Sequence, residues 1–261
     1  MYPILFTIFG FPISTFGVMM AVGFLVSAWI VGKRLAEYGL DPELSSTILI
    51  YAMIGGVVGS KLYFAIDESL RTDQPFFSLL LSRAGITWYG GLIGGTLLVV
   101  AATRYHGLPT RVVASCVANA APFGQACGRI GCFLVGDDYG RESSLPWAVA
   151  FPKGAPPTID AATGRVFAVH PTQLYEVAWL LLVGALLWRR RRSSPFLFGE
   201  YLMTAAVGRF AIEFLRVNKP LALGLTQPQW IAMILFALGA CGWLYFRGRP
   251  EPLALSQRAA A

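Results

Sequence analysis

Long apolar stretches alternate with short polar segments along almost the whole chain of 261 residues. Seven of these stretches are long enough for a helix to cross the roughly 30 Å of hydrocarbon in a bilayer. We therefore predict an all-α membrane protein, a single polytopic domain with seven transmembrane helices. The predicted spans are residues 14–32, 45–66, 86–105, 112–136, 172–188, 196–215 and 226–246.

Three segments outside these spans predict other structures. Residues 137–169 are rich in proline and glycine, which predicts a small extracytoplasmic head domain with short strands at 147–151 and 165–169. Residues 67–85 contain an apolar patch and predict an interfacial arm that lies on the membrane. Residues 1–13 are apolar but too short to cross, so we expect them in the membrane interface.

The composition supports a membrane protein. Hydrophobic residues make up 56% of the chain and charged residues only 13%, whereas a soluble domain carries about a quarter charged residues. The net charge of +7 is not gathered on a soluble basic face, so we expect no nucleic-acid partner. The four cysteines lack the spacing of a metal motif, and we expect no metal and no cofactor. The first apolar stretch lacks a basic start and a cleavage site, which predicts no cleaved signal peptide.

The charges in the loops predict the orientation of the chain. Basic residues are concentrated in the loops that follow the first, third, fifth and seventh spans, and such loops usually face the cytoplasm. We therefore expect the N-terminus outside and the C-terminus in the cytoplasm. These basic residues are Lys33, Arg34, Arg104, Arg111, Arg189, Arg190, Arg191, Arg192, Arg247, Arg249 and Arg258.

Two arginines inside predicted spans are candidates for chemistry. Arg129 is flanked by glycines in the fourth span and is followed by two aspartates, whereas Arg209 and Glu213 share one face of the sixth span. A charged side chain at membrane depth is costly, so it is normally paired or faces a polar cavity. The sequence leaves two interpretations open, ion pairs between helices and an anion site in a membrane pocket.

Two further motifs lie where predicted spans begin. Tyr89 is followed by a glycine-rich run at 90–95, where a helix or a lipid can approach the backbone closely. His-Pro-Thr-Gln-Leu-Tyr-Glu occupies residues 170–176, in which Thr172 is predicted to cap the fifth span. Thr226 is predicted to cap the seventh span in the same way. Packing alone explains the histidine and the glutamate of the 170–176 motif less easily.

Taken in order, these motifs resemble those of the prolipoprotein diacylglyceryl transferase family over about residues 16–230. They are the glycine-rich run, Gly-Arg-Ile-Gly-x-Phe with Gly-Asp-x-x-Gly, His-Pro-Thr-Gln-Leu-Tyr-Glu, and Arg-Phe-x-x-Glu-Phe-x-Arg. The resemblance implies transfer of the diacylglyceryl group of phosphatidylglycerol to the lipobox cysteine of a prolipoprotein, giving a thioether and glycerol phosphate. It also implies the bacterial cytoplasmic (inner) membrane, with the bilayer, the lipid and the prolipoprotein signal peptide as partners.

The resemblance assigns expected roles to individual residues. Arg129 and Arg209 match the family's two essential arginines and are expected to hold the lipid phosphate, which guanidinium groups bind through paired N–H donors. Glu213 is expected to orient Arg209. With Tyr89 and His170, the two arginines form the expected catalytic set. The other expected substrate contacts are Gly90, Gly91, Gly94, Asp137, Gly140, Gln173, Tyr175, Glu176 and Lys61.

The chain departs from the family pattern where the thiol is activated. The family has a histidine, proposed as a base, at the position of Tyr89, and a tyrosine with an ordinary pKa near 10 is a poor base. Other departures are Cys132 for asparagine, Asp137 for glutamate, Lys61 for arginine, and Ala205 and Phe16 for tyrosines.

Several explanations of these departures stay open. His170 activates the thiol, because histidine titrates near neutral pH. Alternatively, the phosphate leaving group takes the proton itself. In a third explanation, the protein is a diverged paralogue that binds or transfers phospholipid without a lipobox substrate. A small-solute transporter is a weaker alternative, because the sequence shows no internal repeat.

Overall fold

The computed structural model describes residues 2–72, 74–82, 85, 87–191 and 193–249. Arg83, Ile86, Arg192 and Arg258, which enter the sequence predictions, lie outside the described residues. The described chain is mostly helical. Its helices are α1 (Thr15–Glu37), α2 (Leu44–Arg71), α3 (Phe76–Leu81), α4 (Trp88–Tyr105), α5 (Thr110–Val135), α6 (Thr172–Arg190), α7 (Leu197–Glu213) and α8 (Gln227–Phe246). Its strands are β1 (Ile4–Ile8), β2 (Phe11–Ser14), β3 (Pro220–Ala222) and β4 (Leu225–Thr226).

The long helices occupy the segments predicted as transmembrane spans, with ends that differ by a few residues. Among the described helices, α1, α2 and α8 are long and apolar enough to cross a membrane. Helices α5, α6 and α7 carry Arg129, Glu176 and Arg209, and these charges lower their mean hydropathy. The structure therefore supports a mostly helical membrane protein, while the number of seven spans stays a prediction.

The N-terminal segment predicted to lie in the interface forms a β-hairpin. Strands β1 and β2 pair antiparallel, with Thr7 opposite Pro12. Phe9 and Gly10 form the turn with φ angles of 49° and 82°, so both turn residues are left-handed, as in the type I′ turns of tight hairpins. A second hairpin, β3–β4, has Leu223 and Gly224 at its turn, with φ angles of 51° and 74°.

The predicted arm is partly a continuation of a long helix. Helix α2 extends through Arg71, so the first five residues of the 67–85 segment are helical and belong to α2. The apolar patch of that segment forms the short helix α3. The helix therefore ends five residues beyond the predicted end of the span at residue 66.

The segment predicted as a head domain contains single β-bridges in place of the predicted strands. Val149 and Val169 form one bridge, which joins the two segments expected to be strands, and Ile159 and Val166 form another. Phe151 is buried at the centre of this segment and stacks on Tyr139 at 5.5 Å between ring centroids. The segment thus has a small aromatic core with little regular structure.

The two predicted helix caps have different outcomes. Thr226 is the N-cap of α8 and forms a capping box with Gln229, whose Oε1 accepts a hydrogen bond from the Thr226 backbone N–H at 2.9 Å. This prediction is confirmed. The prediction for Thr172 is wrong, because Pro171 is the N-cap of α6 and Thr172 is the first helical residue. Its hydroxyl donates instead to the carbonyl oxygen of Asp138 at 2.9 Å.

The chain forms two compact units. Among the described residues, the first unit consists of 2–30 and 114–249, and the second of the described residues within 31–113. In the second unit, α2 and α4 pack through glycines. A Cβ on Gly59 would lie 2.8 Å from the Cα of Gly94 and would overlap the carbonyl oxygen of Gly90. These glycines of the family-like motif therefore allow two helices to approach closely.

In the first unit, the described core lies between α5, α6 and α7. Its buried residues are Ala118, Val183, Leu187, Leu197 and Tyr201. The Tyr201 hydroxyl accepts a hydrogen bond from Gln125 Nε2 at 2.6 Å. This packing fixes the three helices that carry the charged residues described below.

Candidate functional site

Arg129 connects three parts of the first unit. It lies on α5, and its Nε forms an ion pair with Glu176 Oε2 on α6 at 2.5 Å. Its Nη1 donates to Asp138 Oδ2, just after the end of α5, at 2.7 Å. The Arg129 side chain retains 24% exposure, whereas that of Glu176 retains 8%. The guanidinium is therefore fixed by two carboxylates but is still accessible.

Arg209 reaches the same glutamate from α7. Its Nη1 donates to Glu176 Oε1 at 2.6 Å, and its Nη2 lies 2.9 Å from Glu213 Oε2, four residues later on the same helix. The structure therefore brings together the two arginines that the sequence singled out. We call Arg129 and Arg209 the arginine pair. Glu176 lies between them and uses one oxygen for each.

A third guanidinium, that of Arg216, completes the cluster. It forms an ion pair with Asp138 Oδ1. Its Nη1 lies 3.7 Å from Glu176 Oε1, and its Nε lies 3.6 Å from Glu213 Oε2. In the sequence, Arg216 is the last residue of the Arg-Phe-x-x-Glu-Phe-x-Arg motif, and no role in the site is predicted for it. The spacing of Arg209, Glu213 and Arg216, at positions i, i+4 and i+7, would place all three on one face of a continuous helix. Helix α7 ends at Glu213, so Arg216 reaches the cluster from the segment that follows the helix.

Glu213 is held by groups outside the ion pairs. Its Oε1 accepts hydrogen bonds from Asn218 Nδ2 at 2.6 Å and from Thr226 Oγ1 at 2.9 Å. The Glu213 side chain is fully buried. Since Thr226 caps α8, the start of α8 fixes the carboxylate that in turn positions Arg209.

Charges of opposite sign alternate in this cluster, which we call the arginine–carboxylate network. Its members are Arg129, Arg209, Arg216, Asp138, Glu176 and Glu213. Three guanidinium groups thus face three carboxylates, and this pairing lowers the cost of charges at membrane depth. The network is compatible with both interpretations of the sequence, ion pairs between helices and an anion site. Its ion pairs link the helices, and an anion that binds the arginine pair has to compete with Glu176.

The two aspartates after α5 lie in different environments. Gly136 and Asp138 have φ angles of 80° and 59°, so the chain turns sharply here and Asp138 faces Arg129 and Arg216. Burial raises the pKa of the Asp137 carboxyl, and the negative charge of Asp138 raises it further. Burial also disfavours ionisation of Asp138, but its ion pairs with Arg216 and Arg129 outweigh this effect and hold its pKa below the ordinary value.

Side chains at the start of α6 hold the main chain of the sharp turn at residues 136–138 in place. Gln173 Nε2 donates to the carbonyl oxygen of Asp137 at 2.5 Å. Gly140 fits where no larger residue does, since a Cβ there would lie 2.6 Å from the carbonyl oxygen of Leu215 and 2.9 Å from the Cβ of His170. The expected substrate residues Asp137, Gly140 and Gln173 are therefore neighbours in the first unit.

His170 belongs to a short chain of polar aromatic groups. Its Nδ1 lies 3.3 Å from the hydroxyl of Tyr175, and that hydroxyl accepts a hydrogen bond from Trp147 Nε1 at 2.8 Å. The rings of His170 and Tyr175 meet edge to face. The segment after α5 therefore positions the imidazole through Tyr175.

Cys132, a departure from the family pattern, lies inside the site. Its Sγ is 4.0 Å from Arg129 Nη1, and its thiol interacts with the Asp137 side chain. Two further departures, Phe16 and Ala205, make apolar contacts. Phe16 lies against Gly131, and Ala205 packs on the α5–α6–α7 core.

The remaining predicted site residues belong to the second unit. The ring of Tyr89 lies 6.4 Å from that of Tyr63. Lys61 Nζ donates to the carbonyl oxygen of Ser82 at 2.6 Å and to that of Leu79 at 3.4 Å, at the end of α3. Gly90, Gly91 and Gly94 face α2. Their predicted contacts with a substrate stay predictions. Within the described residues, no cluster of histidine, cysteine, aspartate and glutamate is suited to hold a metal ion.

Comparisons with known proteins agree on one family. The family model described as prolipoprotein diacylglyceryl transferase matches residues 3–245. Similar proteins include the phosphatidylglycerol–prolipoprotein diacylglyceryl transferase of Corynebacterium efficiens, 31% identical over 259 residues, which cover 92% of this chain and 80% of the relative. The protein of the same name from Trichormus variabilis is 32% identical over 272 residues, with coverages of 97% and 93%. That from Clostridium tetani is 33% identical over 246 residues, with coverages of 92% and 95%.

Proposed function

Because this chain belongs to the prolipoprotein diacylglyceryl transferase family, we propose that it transfers the diacylglyceryl group of phosphatidylglycerol to the lipobox cysteine of prolipoproteins. The products are a thioether-linked lipid and glycerol phosphate. The observation that carries the proposal is the convergence of Arg129 and Arg209 on one carboxylate, at 2.5 Å and 2.6 Å. This geometry supports a site for a single anionic group between two guanidinium groups.

The arginine pair is suited to a phosphate. A guanidinium has five N–H donors in a fixed plane and binds two oxygens of a phosphate or carboxylate side by side. The oxygens of Glu176 occupy one of these donors on each arginine. The lipid phosphate therefore takes the place of this carboxylate, and Glu213 keeps Arg209 in position while it does so.

The reaction exchanges one bond at a glyceryl carbon. The lipobox sulfur forms a bond to the carbon that carries the phosphate, and the bond between this carbon and the phosphate oxygen breaks. The electron pair of the broken bond leaves with the oxygen, so negative charge grows on the departing glycerol phosphate. Arg129 and Arg209 stabilise this charge, which is the way in which positioned donors accelerate such reactions.

The thiol proton needs an acceptor, and His170 is the residue that we assign to this role. Its Nδ1 lies 3.3 Å from the Tyr175 hydroxyl. When Nδ1 donates its proton there, Nε2 carries the lone pair that accepts a proton. Tyr89 stands where the family has a histidine, and a tyrosine is in general a weak base at neutral pH.

The arrangement in the membrane follows from the loop charges. We assign seven transmembrane helices, an N-terminus outside, a C-terminus in the cytoplasm and a head domain at 137–169 on the outer side of the bacterial cytoplasmic membrane. The arginine–carboxylate network supports this orientation, because Asp138 follows α5, Glu176 lies near the start of α6 and Arg216 follows α7. Secreted precursors and the outer leaflet then meet the network from the same side.

A transfer assay and a genetic complementation test together examine the proposed function. The purified protein is mixed with phosphatidylglycerol and a lipobox peptide, and the thioether product and glycerol phosphate are quantified by mass spectrometry. We expect both products in equal amounts, and we expect the gene to restore growth of cells depleted of their own transferase. Arg129→Ala serves as the inactive control. If the protein binds the lipid yet forms neither product, it is a phospholipid-binding paralogue.

A further inference from the structure

Two buried oxygen atoms beside the arginine pair lack hydrogen-bond donors. Asp137 Oδ1 and Gln173 Oε1 are buried and have no hydrogen-bond partner among the described residues. Gln173 is 1% exposed, and the nitrogen of the same amide donates to the main-chain oxygen of Asp137. Buried acceptors in folded proteins are normally paired. Two such acceptors on neighbouring side chains therefore indicate a ligand that brings donors.

Both acceptors lie next to the place assigned to the lipid phosphate. Gln173 precedes Glu176 by three residues on α6, so the two side chains share a helix face with a spacing of about 5–6 Å between Cβ atoms. The Asp137 side chain interacts with Cys132, whose Sγ is 4.0 Å from Arg129 Nη1. A group attached to a phosphate between Arg129 and Arg209 therefore reaches these oxygens without leaving the site.

We propose that Asp137 and Gln173 accept hydrogen bonds from the two hydroxyl groups of the glycerol headgroup and thereby select phosphatidylglycerol among membrane phospholipids. This proposal rests on the proposed function. A neutral diol supplies the missing donors and adds no charge to a network in which three guanidinium groups already face three carboxylates. An ammonium headgroup would instead place a cation near Arg129 and Arg216, which already attract the Asp137 carboxylate.

The oxygens of Asp137 and Gln173 select the headgroup because lipids without the diol leave them unpaired and bind less tightly. A site built to bind a hydroxyl group discriminates strongly against an analogue without it, because its buried polar groups are then left unpaired. A hydrogen bond to a charged group changes binding by about tenfold to a hundredfold. Headgroup choice is therefore expected to depend on Asp137 and Gln173, while the arginine pair binds the phosphate of any phospholipid.

The test compares two lipid donors that differ only in the headgroup hydroxyls. Phosphatidylglycerol and phosphatidylpropanol are each offered with the same lipobox peptide, and kcat/KM for the lipid is measured by mass spectrometry of the thioether product. We expect the wild-type protein to prefer phosphatidylglycerol. We expect Asp137→Ala and Gln173→Met each to reduce this preference about tenfold or more. The loss arises from slower reaction with phosphatidylglycerol, while the rate with phosphatidylpropanol serves as the folding control.

Two matched variants sharpen the comparison. Asp137→Glu keeps a carboxylate and is expected to retain most of the preference that Asp137→Ala loses. Gln227→Met makes the same side-chain change as Gln173→Met at an exposed position at the start of α8. It is expected to leave the ratio of the two lipids unchanged.

An unchanged preference in both site variants overturns the proposal. So does a rise in KM for the peptide that is equal with both lipids, because the acceptors then bind the peptide backbone. If the wild-type protein transfers from neither lipid, the proposed function fails. In that case, native mass spectrometry tests the headgroup proposal separately from the reaction. It measures how tightly the wild-type protein and the Gln173→Met variant each bind the two lipids. Equal affinities of the wild-type protein for the two lipids would then refute it.

Discussion

Arg129 and Arg209 form ion pairs with different oxygens of one carboxylate, that of Glu176, although the two arginines lie on α5 and α7. The glutamate therefore resembles a phosphate in position and in the donors that it uses. Its presence makes the site stable without lipid, since the two buried cations are compensated. Under the proposed function, lipid binding is therefore a competition between two anionic groups for the same guanidinium donors.

Replacing Glu176 with glutamine removes this competition. We expect Glu176→Gln to bind phosphatidylglycerol and glycerol phosphate about tenfold more tightly, because a neutral amide no longer competes for charge-assisted hydrogen bonds. The melting temperature of the lipid-free protein is expected to fall, because two partly buried cations lose their shared anion. Native mass spectrometry and thermal unfolding measure both effects. Weaker lipid binding would contradict the assignment of the arginine pair to the phosphate.

Arg129→Lys tests the geometry of the guanidinium. Lysine keeps the positive charge but loses the planar pair of donors that engages Glu176 and Asp138. We expect kcat/KM for transfer to fall about a hundredfold, the usual effect of removing one positioned donor from a developing negative charge. Arg165→Lys is the matched control, because Arg165 forms an exposed ion pair with Glu142. Full activity of Arg129→Lys would remove Arg129 from the phosphate site.

The assignment of the proton acceptor predicts a specific rescue. We expect His170→Gln to lower kcat about a hundredfold or more, within the usual range for loss of a general base. The decline in rate at acidic pH that protonation of the base causes should disappear with it. Introducing Tyr89→His into this variant is expected to restore part of the rate, because it supplies the histidine that the family has there. A His170→Gln variant with an unchanged pH profile would show that the leaving phosphate takes the proton.

The two neighbouring aspartates are expected to affect stability in opposite directions. Because the folded-state pKa of Asp138 is lowered by Arg216 and Arg129 against the effect of burial, its carboxylate stabilises the fold above the unfolded pKa of about 3.9. This contribution is lost as the pH falls through the lowered pKa. Asp138→Asn should therefore lower the melting temperature at pH 7 by a few degrees.

Ionised Asp137 has the opposite effect on the stability of the fold. Burial and the charge of Asp138 raise its folded-state pKa, so ionised Asp137 disfavours the fold at pH 7 and this cost is absent below the unfolded pKa. Asp137→Asn should raise the melting temperature at pH 7. The difference between Asp137→Asn and wild type should vanish below the unfolded pKa of about 3.9. The difference between Asp138→Asn and wild type should vanish only as the pH falls below the lowered folded-state pKa of Asp138. A fall in melting temperature for Asp137→Asn at pH 7 would show that its contact with Cys132 outweighs burial.

Much of the helical framework could be read from the sequence, because an uninterrupted apolar stretch has few alternatives to a membrane helix. The two β-hairpins could not be predicted from the sequence. Residues 4–14 are apolar on both sides, without the alternation of polar and apolar positions that indicates a strand. Their turns also lack the usual Asn-Gly, since Phe9 and Leu223 occupy the first left-handed position.

At the site, the sequence indicated Arg129 and Arg209 because a charge inside an apolar stretch is conspicuous. It did not indicate which of two adjacent aspartates faces them, since this depends on the left-handed conformation of Asp138. Arg216 was missed because it follows the end of α7, where a basic residue is ordinary. The role of Arg216 depends on side-chain packing between elements that are far apart in the sequence. Residue spacing along one helix does not reveal such packing.

The even match of three cations and three anions in the arginine–carboxylate network has a consequence for how lipids reach it. A cluster without net charge exerts little pull over distances beyond a Debye length of about 8–10 Å. Under the proposed function, we therefore expect an anionic lipid to arrive by lateral diffusion in its leaflet, with discrimination only on contact. Turnover should accordingly vary little with ionic strength, unlike that of proteins that capture anionic lipids through an unbalanced basic surface.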